Sequence, residues 1–232
     1  MHFETYIKQI IQRTPEVKSF RFHKPAGMDC SAGKYMMVTI KSEWMELRKP
    51  FTISSSPTEQ DFLEFTKKLT QHPFSKALDA LKTGDKVQIE APFGNFIFKG
   101  EYDKIAMLAG GIGITPLGCM IKYATDKKLK TNIILLYSNI LEDEIVFKNE
   151  IEEMKIQNEN LKVVYTITQP TEKWNGFTGF INREMIQKVI PDYLDRIFHI
   201  CGPPGMVDAM VVILKSLNIP EKQIKKEQFV GN

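Results

Sequence analysis

A glycine-rich segment near the middle of the chain, Gly110-Gly111-Ile112-Gly113-Ile114-Thr115-Pro116, is the first candidate for binding a phosphate. Glycine permits positive φ and lets backbone amides approach a pyrophosphate at a helix N-terminus, and Pro116 suits the first helical position. The dinucleotide-binding fingerprint is imperfect, because Pro116 stands where its third glycine belongs. On this segment alone, a phosphate site and a tight structural turn are both open interpretations.

A second turn of small residues, Cys201-Gly202-Pro203-Pro204-Gly205-Met206, also lies between an apolar stretch and a helix-like segment. Taken alone, Cys201 is best interpreted as a buried structural thiol. Ligands of open parallel sheets bind beyond the carboxyl ends of the strands, so two such turns favour a ligand crevice between them. The lysine of a P-loop is missing, which disfavours ATP hydrolysis of that type.

Two polar segments in the first hundred residues are candidates for holding another ligand. The first runs from Arg48 to Pro57 and combines cations, an aromatic ring and a row of hydroxyls. A cation can hold a phosphate, an aromatic side chain can cover a planar ring and hydroxyls can bond ring heteroatoms, although a plain polar loop explains the same residues. The second, from Lys67 to Ser75, leads into a short helix and predicts another anion site, unless His72 is simply a solvated loop residue.

Composition and charge restrict the class of protein. The 232 residues are 43% hydrophobic and 25% charged, which is typical of a globular chain and excludes a disordered or fibrous one. The net charge of +3 comes from interleaved residues, so no nucleic-acid partner is expected. The scattered cysteines, and histidines without ligand spacing, predict no disulfide framework, no iron–sulfur cluster and no metal site.

No targeting or membrane-spanning segment is expected. The first residues lack a basic stretch followed by an apolar core. The longest apolar run, Ile105 to Ile121, is broken by glycines and by Pro116. We therefore expect a cytoplasmic protein without membrane insertion.

The pattern of predicted strands and helices changes near residue 100. Residues 1–100 are β-rich, with one helix from Ser75 to Leu81, and predict an antiparallel β-barrel domain. Residues 101–232 alternate apolar strands with amphipathic helices and predict a doubly wound parallel α/β domain. Predicted strands are 4–11, 17–22, 35–40, 87–90, 104–109, 132–138, 161–168, 196–201 and 224–229, and the other predicted helices are 116–125, 146–156, 182–189 and 206–217.

Taken in order, these segments resemble the ferredoxin-NADP(+) reductase family over essentially the whole chain. Lys49-Pro50-Phe51-Thr52-Ile53-Ser54-Ser55 is similar to the family's flavin motif, Arg-x-Tyr-Ser/Thr-x-x-Ser, and His72-Pro73-Phe74-Ser75 is similar to its Gly-x-x-Ser phosphate motif. Residues 84–96 resemble the Gly-Asp-x-Val and Gly-Pro-x-Gly-x-Phe signature. Residues 110–116 match the nicotinamide-nucleotide pyrophosphate loop, 201–206 the Cys-Gly-Pro-Pro-Gly-Met motif and 227–229 the acidic-x-aromatic terminus.

Three positions depart from the family pattern. Lys49 stands where the family usually has arginine, which loses bidentate phosphate contact unless Arg48 takes that role by a shift of one residue. His72 replaces the glycine of the phosphate motif and alters how closely the backbone can approach a diphosphate. Gln169 stands where NADPH-selective members often carry an arginine for the 2'-phosphate, which favours NADH.

The resemblance implies an FAD-dependent NAD(P)H oxidoreductase that passes electrons to a separate one-electron carrier, such as ferredoxin, flavodoxin or an oxygenase component. It implies that FAD binds to the barrel, that NAD(P)H binds to the parallel sheet, and that hydride passes between nicotinamide C4 and flavin N5. Two alternatives stay open. One is a free-flavin reductase, for which flavin is a substrate, and the other is a noncatalytic FAD-binding electron-transfer subunit of a larger complex.

The same resemblance assigns roles to individual residues. Thr52 is expected to bond near flavin N5, Cys201 and Glu227 to border the nicotinamide, and Phe229 to shield the flavin until nicotinamide displaces it. Lys49 and Ser75 are expected at the FAD diphosphate. The full set of expected cofactor contacts is Arg48, Lys49, Pro50, Phe51, Thr52, Ser55, Thr66, Lys67, Lys68, Pro73, Phe74, Ser75, Gly110, Gly111, Gly113, Thr115, Pro116, Thr168, Gln169, Cys201, Gly202, Pro203, Pro204 and Met206.

Overall fold

The computed structural model describes residues 1–41 and 46–229, which form two compact units. The first unit, Met1–Lys99, is an antiparallel sheet with one helix. Its elements are β1 (His2–Thr14), β2 (Val17–His23), β3 (Tyr35–Lys41), β4 (Glu46–Thr52), β5 (Phe62–Lys68), α1 (Pro73–Ala80) and β6 (Lys86–Phe93).

The two outer strands of this sheet meet, which closes it into a barrel. The strand order is β4-β3-β6-β1-β2-β5, and every neighbouring pair is antiparallel. Just beyond β4, the amide of Ser54 donates a 2.7 Å hydrogen bond to the carbonyl of Glu64 on β5. Inside, Phe20 and Phe22 of β2 stack on Phe65 of β5, with ring centroids 5.2 and 5.7 Å apart. The antiparallel barrel predicted from the sequence is confirmed.

Strand β4 is missing from the predicted strands, and its composition explains why. Lys49 and Pro50 are residue types that are depleted in strands. In the structure Pro50 is opposite Met37 of β3, and β4 lies at the end of the strand order, where a residue without an N–H is tolerated. Much of the polar segment from Arg48 is therefore a strand, not a loop.

The second unit begins at Gly100 and contains a sheet of six parallel strands with helices between them. The elements are β7 (Lys104–Gly110), α2 (Ile114–Asp126), β8 (Asn132–Asn139), α3 (Lys148–Gln157), β9 (Leu161–Ile167), β10 (Phe177–Thr178), α4 (Arg183–Val189), β11 (Ile197–Gly202), α5 (Pro204–Ser216) and β12 (Ile224–Gln228). The strand order is β10-β9-β8-β7-β11-β12, so the carboxyl ends of all these strands lie at one edge, and the predicted doubly wound parallel sheet is confirmed.

Several predicted helix boundaries are wrong. A 3-10 turn, Gly111–Gly113, precedes α2, so Pro116 is the third helical residue and not the first. Proline is acceptable there because the first amides of a helix have no partner within it. Helix α3 begins at Lys148 instead of residue 146, because Phe147 has a φ of 61° and cannot belong to a right-handed helix.

Residues 1–41 and 46–229 contain neither a membrane-spanning helix nor a group of metal-ligating side chains. No helix there is both long enough and apolar enough to cross a membrane. No cluster of histidine, cysteine and acidic side chains in these ranges is arranged to hold a metal ion.

Candidate active site

The two glycine-rich turns of the parallel sheet are packed directly against each other. A Cβ atom on Gly113 would overlap the backbone carbonyl of Cys201. A Cβ atom on Gly202 would lie 3.3 Å from the amide nitrogen of Gly110 and 2.9 Å from Sδ of Met206. The two turns are therefore in direct backbone contact, and the ligand crevice expected between them stays a prediction.

The glycines of the first turn are required for different reasons. Only Gly111 has a positive φ, of 50°, whereas Gly110 and Gly113 have φ values of −128° and −63°. Gly110 and Gly113 are needed because any side chain would collide with Met206 or with the Cys201 backbone. The expectation of positive φ thus holds for Gly111 alone, and close packing explains the other two.

The first turn offers the start of a helix to an anion. Helix α2 continues directly from the 3-10 turn, and the amide of Ile114 already donates to the carbonyl of Gly111. The first amides of this helical stretch, which lack helical partners, are therefore those of the 3-10 turn itself. The hydroxyl of buried Thr115 is turned inward and donates to the carbonyl of Ile112 at 3.1 Å. From β8, the buried Tyr137 hydroxyl donates to the carbonyl of Gly111 at 3.0 Å. These two hydrogen bonds hold the carbonyl side of the turn, and the backbone amides of the turn are suited to bind a phosphate.

The second turn and the last strand carry the expected catalytic residues of this unit. Cys201 on β11 and Glu227 on β12 are register partners. Burial, and secondarily the charge of Glu227, raise the pKa of the Cys201 thiol. Burial also raises the pKa of Glu227 to about 7, and its Oε2 atom has no hydrogen-bond partner among the residues that the structure describes. The half-buried Phe229 follows, with its amide donating to the carbonyl of Gly202 at 3.0 Å.

At the other side of the same sheet edge, Thr168 and Gln169 follow β9. Their amides donate to the carbonyls of Asn139 and Ile140, and the Gln169 side chain is exposed.

Beyond the neighbouring strand β10, Phe180 is 79% exposed. Exposed Ile140 and Leu141 lie just past β8. These exposed apolar side chains were not predicted from the sequence. A phenylalanine directly after Gly179, in a turn at a strand end, is the pattern that could have indicated one of them.

The remaining residues of the second turn have distinct environments. Pro203 is exposed and precedes α5, and half-buried Pro204 is its first residue. Met206 places its sulfur against Gly110 and Gly202, so it acts as the packing link between the two turns.

In the barrel, the structure brings Lys49, Phe51 and Lys67 together. Lys49 and Phe51 are two residues apart on β4, so their side chains lie on the same face of the strand. Nζ of Lys67 lies 5.9 Å from the centroid of the Phe51 ring. Burial, followed by the charge of Lys49, lowers the pKa of Lys67. Two neighbouring cations are unfavourable by themselves and favour a bound anion, so this group fits a diphosphate with an adjacent planar ring.

Arg48 lies on the opposite face of β4. Its guanidinium forms a 2.8 Å ion pair with Glu90 on β6. The shift by one residue that would substitute Arg48 for Lys49 is therefore not favoured by the geometry. Lys68, by the same alternation on β5, points away from Lys67 and pairs with Glu16 at 3.0 Å.

Ser55 and Thr66, two of the expected flavin contacts, form hydrogen bonds across the seam between the end of β4 and β5. Oγ of Ser55 accepts a hydrogen bond from the amide of Glu64 at 3.0 Å, and Oγ1 of Thr66 lies 3.1 Å from Oγ of Ser54 and 2.7 Å from Oγ of Ser19 on β2. The buried Glu64 carboxylate accepts from Arg21 at 2.8 Å and from Arg13 at 3.1 Å. This network escaped sequence reasoning because its members come from separate strands.

The phosphate motif ends in buried side chains. Phe74 packs in the core and its ring lies 5.4 Å from that of Phe51. Oγ of Ser75 is also buried and accepts from the amide of Thr70 at 2.8 Å, which leaves its own proton for another acceptor. Thr52 is buried at the end of β4, whereas Pro50 and Pro73 are exposed.

Comparison with known proteins agrees with this division of sites. An oxidoreductase FAD-binding domain model matches residues 5–98, and an oxidoreductase NAD-binding domain model matches residues 107–211. NADH-cytochrome b5 reductase 1 of Dictyostelium discoideum is 31% identical over 212 residues, which are 88% of this chain and 74% of that protein. The glycine betaine monooxygenase reductase subunit of Chromohalobacter salexigens is 28% identical over 229 residues, 95% of this chain and 62% of that protein.

Solved structures give the same result. The cytochrome b5 reductase domain of Ulva prolifera nitrate reductase has a TM-score of 0.85 and 26% identity, covering 98% of this chain and 97% of that one. A ferredoxin NADP+ reductase from Neisseria gonorrhoeae with bound FAD and NADP has the same fold, with a TM-score of 0.84, 19% identity and 98% of each chain covered. This chain therefore belongs to the ferredoxin-NADP(+) reductase-like family of FAD- and NAD(P)-dependent oxidoreductases, together with the NADH-cytochrome b5 reductases.

Proposed function

We propose that this protein oxidises NADH and delivers the electrons one at a time to a separate carrier protein, with a haem protein of the cytochrome b5 type as the first candidate. The observation that carries the proposal is the 31% identity, over 88% of the chain, to a protein named for NADH and cytochrome b5. The name of the glycine betaine monooxygenase relative supports an oxygenase component as the next candidate. Ferredoxin and flavodoxin, expected from the sequence resemblance, rank below both.

In the barrel, Lys49 and Lys67 hold the FAD diphosphate, and Phe51 packs beside the cofactor. The two ammonium groups neutralise the diphosphate, which removes their mutual repulsion. Thr52, the last residue of β4, is the first hydroxyl of the flavin motif, and we assign to it the hydrogen bond near flavin N5. Bound FAD supplies the conversion between a two-electron donor and a one-electron acceptor.

In the parallel sheet, the turn before α2 binds the pyrophosphate of NADH through its backbone amides. Glu227 and Cys201 border the nicotinamide. With a pKa near 7, Glu227 exchanges a proton at neutral pH, and it presents a buried Oε2 atom that needs a donor. Gln169 faces the adenosine ribose and offers only amide hydrogen bonds, so NADH is preferred over NADPH.

The direct experiment is to purify the chain, record its absorbance spectrum and assay NADH and NADPH with cytochrome b5, a ferredoxin and free FMN as acceptors. We expect FAD to copurify and NADH-dependent reduction of cytochrome b5 to exceed reduction of the other acceptors. Absence of copurified FAD, with rapid release of reduced FMN, would instead identify a free-flavin reductase. Bound FAD that NADH does not reduce would identify a noncatalytic subunit.

A further inference from the structure

Tyr137 lies on β8, outside every motif in the sequence, yet it reaches the turn that follows β7. Its side chain is completely buried, and its hydroxyl donates a 3.0 Å hydrogen bond to the carbonyl of Gly111. Burial raises the pKa of Tyr137, so the hydroxyl keeps its proton throughout the working pH range. The residue is therefore a permanent hydrogen-bond donor directly beneath the glycine-rich turn.

The Gly111 carbonyl determines where the next amide points. A trans peptide is planar, so the N–H of Ile112 points opposite to the carbonyl of Gly111. Gly111 has a φ of 50°, and a Cβ atom there would meet nothing within 4 Å, so the space beside its Cα is open. Its carbonyl accepts hydrogen bonds from the amide of Ile114 and from the hydroxyl of Tyr137.

We propose that Tyr137 is a positioning residue for the nicotinamide coenzyme, because its hydroxyl holds the Gly111 carbonyl inward and thereby directs the Ile112 amide outward toward the pyrophosphate. This inference rests on the proposed function, which places the coenzyme on this turn. Tyr137 does not touch the coenzyme. Its hydroxyl also interacts with the Asn139 side chain and the Val146 backbone, but it acts on the coenzyme through the peptide group between Gly111 and Ile112. Its removal therefore weakens coenzyme binding without changing the residues at the nicotinamide.

A matched control lies on the adjacent strand. Tyr165 of β9 is a register partner of Tyr137, with ring centroids 6.1 Å apart. Its hydroxyl donates to Oε1 of Glu152 on α3 at 2.9 Å, away from the glycine-rich turn. Tyr165→Phe therefore removes the same chemical group from the same sheet without touching the Gly111 carbonyl.

The test compares Tyr137→Phe, Tyr165→Phe and Gly111→Ala in the FAD-loaded full chain. Calorimetry gives the Kd for NAD+, steady-state assays give KM and kcat for NADH, and amide hydrogen exchange reports on residues 110–114. Loss of one buried hydrogen bond is expected to raise Kd and KM roughly five- to tenfold in Tyr137→Phe, with faster exchange in the turn and unchanged kcat and FAD content. Tyr165→Phe is expected to leave all of these values unchanged.

Gly111→Ala separates the inference from the proposal beneath it. Alanine at a φ of 50° strains the turn without filling space, so coenzyme binding weakens if the turn holds the pyrophosphate. Weaker binding in Gly111→Ala with native binding in Tyr137→Phe would overturn the role of Tyr137 and leave the site in place. Native binding in both variants would overturn the assignment of the coenzyme to this turn. Equal losses in Tyr137→Phe and Tyr165→Phe would reduce Tyr137 to a general structural role.

Discussion

Cys201 on β11 and Glu227 on β12 are partners in the parallel register, so a buried thiol and a carboxyl group with a buried oxygen project from the same face of neighbouring strands. Ionisation of either group is unfavourable in this environment. Burial raises the pKa of both, and each negative charge would further disfavour the other. The fold is therefore most stable with both groups protonated, and at neutral pH Glu227 lies close to the midpoint of its titration.

Glu227→Gln should remove a pH dependence of stability. The native pKa of about 7 exceeds the ordinary 4.5, so the unfolded chain loses this proton first and the fold loses stability as pH rises from about 4.5 through about 7. A shift of this size corresponds to at most about 3 kcal/mol. Denaturant unfolding at about pH 5 and about pH 8 measures it. The exposed Glu221→Gln serves as control, and an identical pH dependence in native protein and Glu227→Gln would contradict the buried carboxyl.

Gln169→Arg should improve the use of NADPH. A guanidinium can pair with the 2'-phosphate through charge-assisted hydrogen bonds, worth about 1.5 to 3 kcal/mol each, so kcat/KM for NADPH should rise roughly tenfold or more. Gln157→Arg adds the same charge at the exposed end of α3 and should have no such effect. A native protein that prefers NADPH, or an arginine variant without gain, would show that position 169 does not face the 2'-phosphate.

Phe180→Ala should weaken NADH binding at little cost in stability. The side chain is 79% exposed, so its removal should change the free energy of unfolding by about 0.5 kcal/mol or less. An exposed ring beyond β10, on the same sheet edge as Gln169, is suited to covering the adenine, and its loss should raise the KM for NADH several-fold. Ile156→Ala on α3, which is 86% exposed, is the control. Equal KM values in both variants would remove Phe180 from the site.

Lys49→Met should lower the affinity for FAD, roughly tenfold, through loss of a charge-assisted contact with the diphosphate. Arg48→Met removes a cation from the next residue, on the other face of β4, where it pairs with Glu90. An exposed ion pair contributes little, so this variant should keep both its stability and its FAD. Fluorescence titration of the flavin-free proteins gives the two affinities. Retention of FAD by Lys49→Met and loss by Arg48→Met would reverse the assignment.

The sequence predicts the barrel, the parallel sheet and the two turns because local patterns carry them: apolar periodicity, and glycine or proline at strand ends. It does not predict that Ser55 bonds to Glu64 across the barrel seam, or that Thr66 meets Ser19 while Arg13 and Arg21 bind the Glu64 carboxylate, since these residues come from different strands. Nor does the sequence show whether a glycine is required for a positive φ or for close packing. At Gly113 a side chain would collide with the backbone carbonyl of Cys201, a residue distant in sequence.

The most direct test of the account is anaerobic mixing of the FAD-loaded protein with limiting NADH and an excess of oxidised cytochrome b5, with the haem absorbance recorded. One NADH yields one proton and two electrons, so we expect two reduced cytochrome molecules for each NADH consumed, with no reduction when the protein is omitted. NADH consumption that leaves the cytochrome, and every other one-electron carrier tried, oxidised would contradict it.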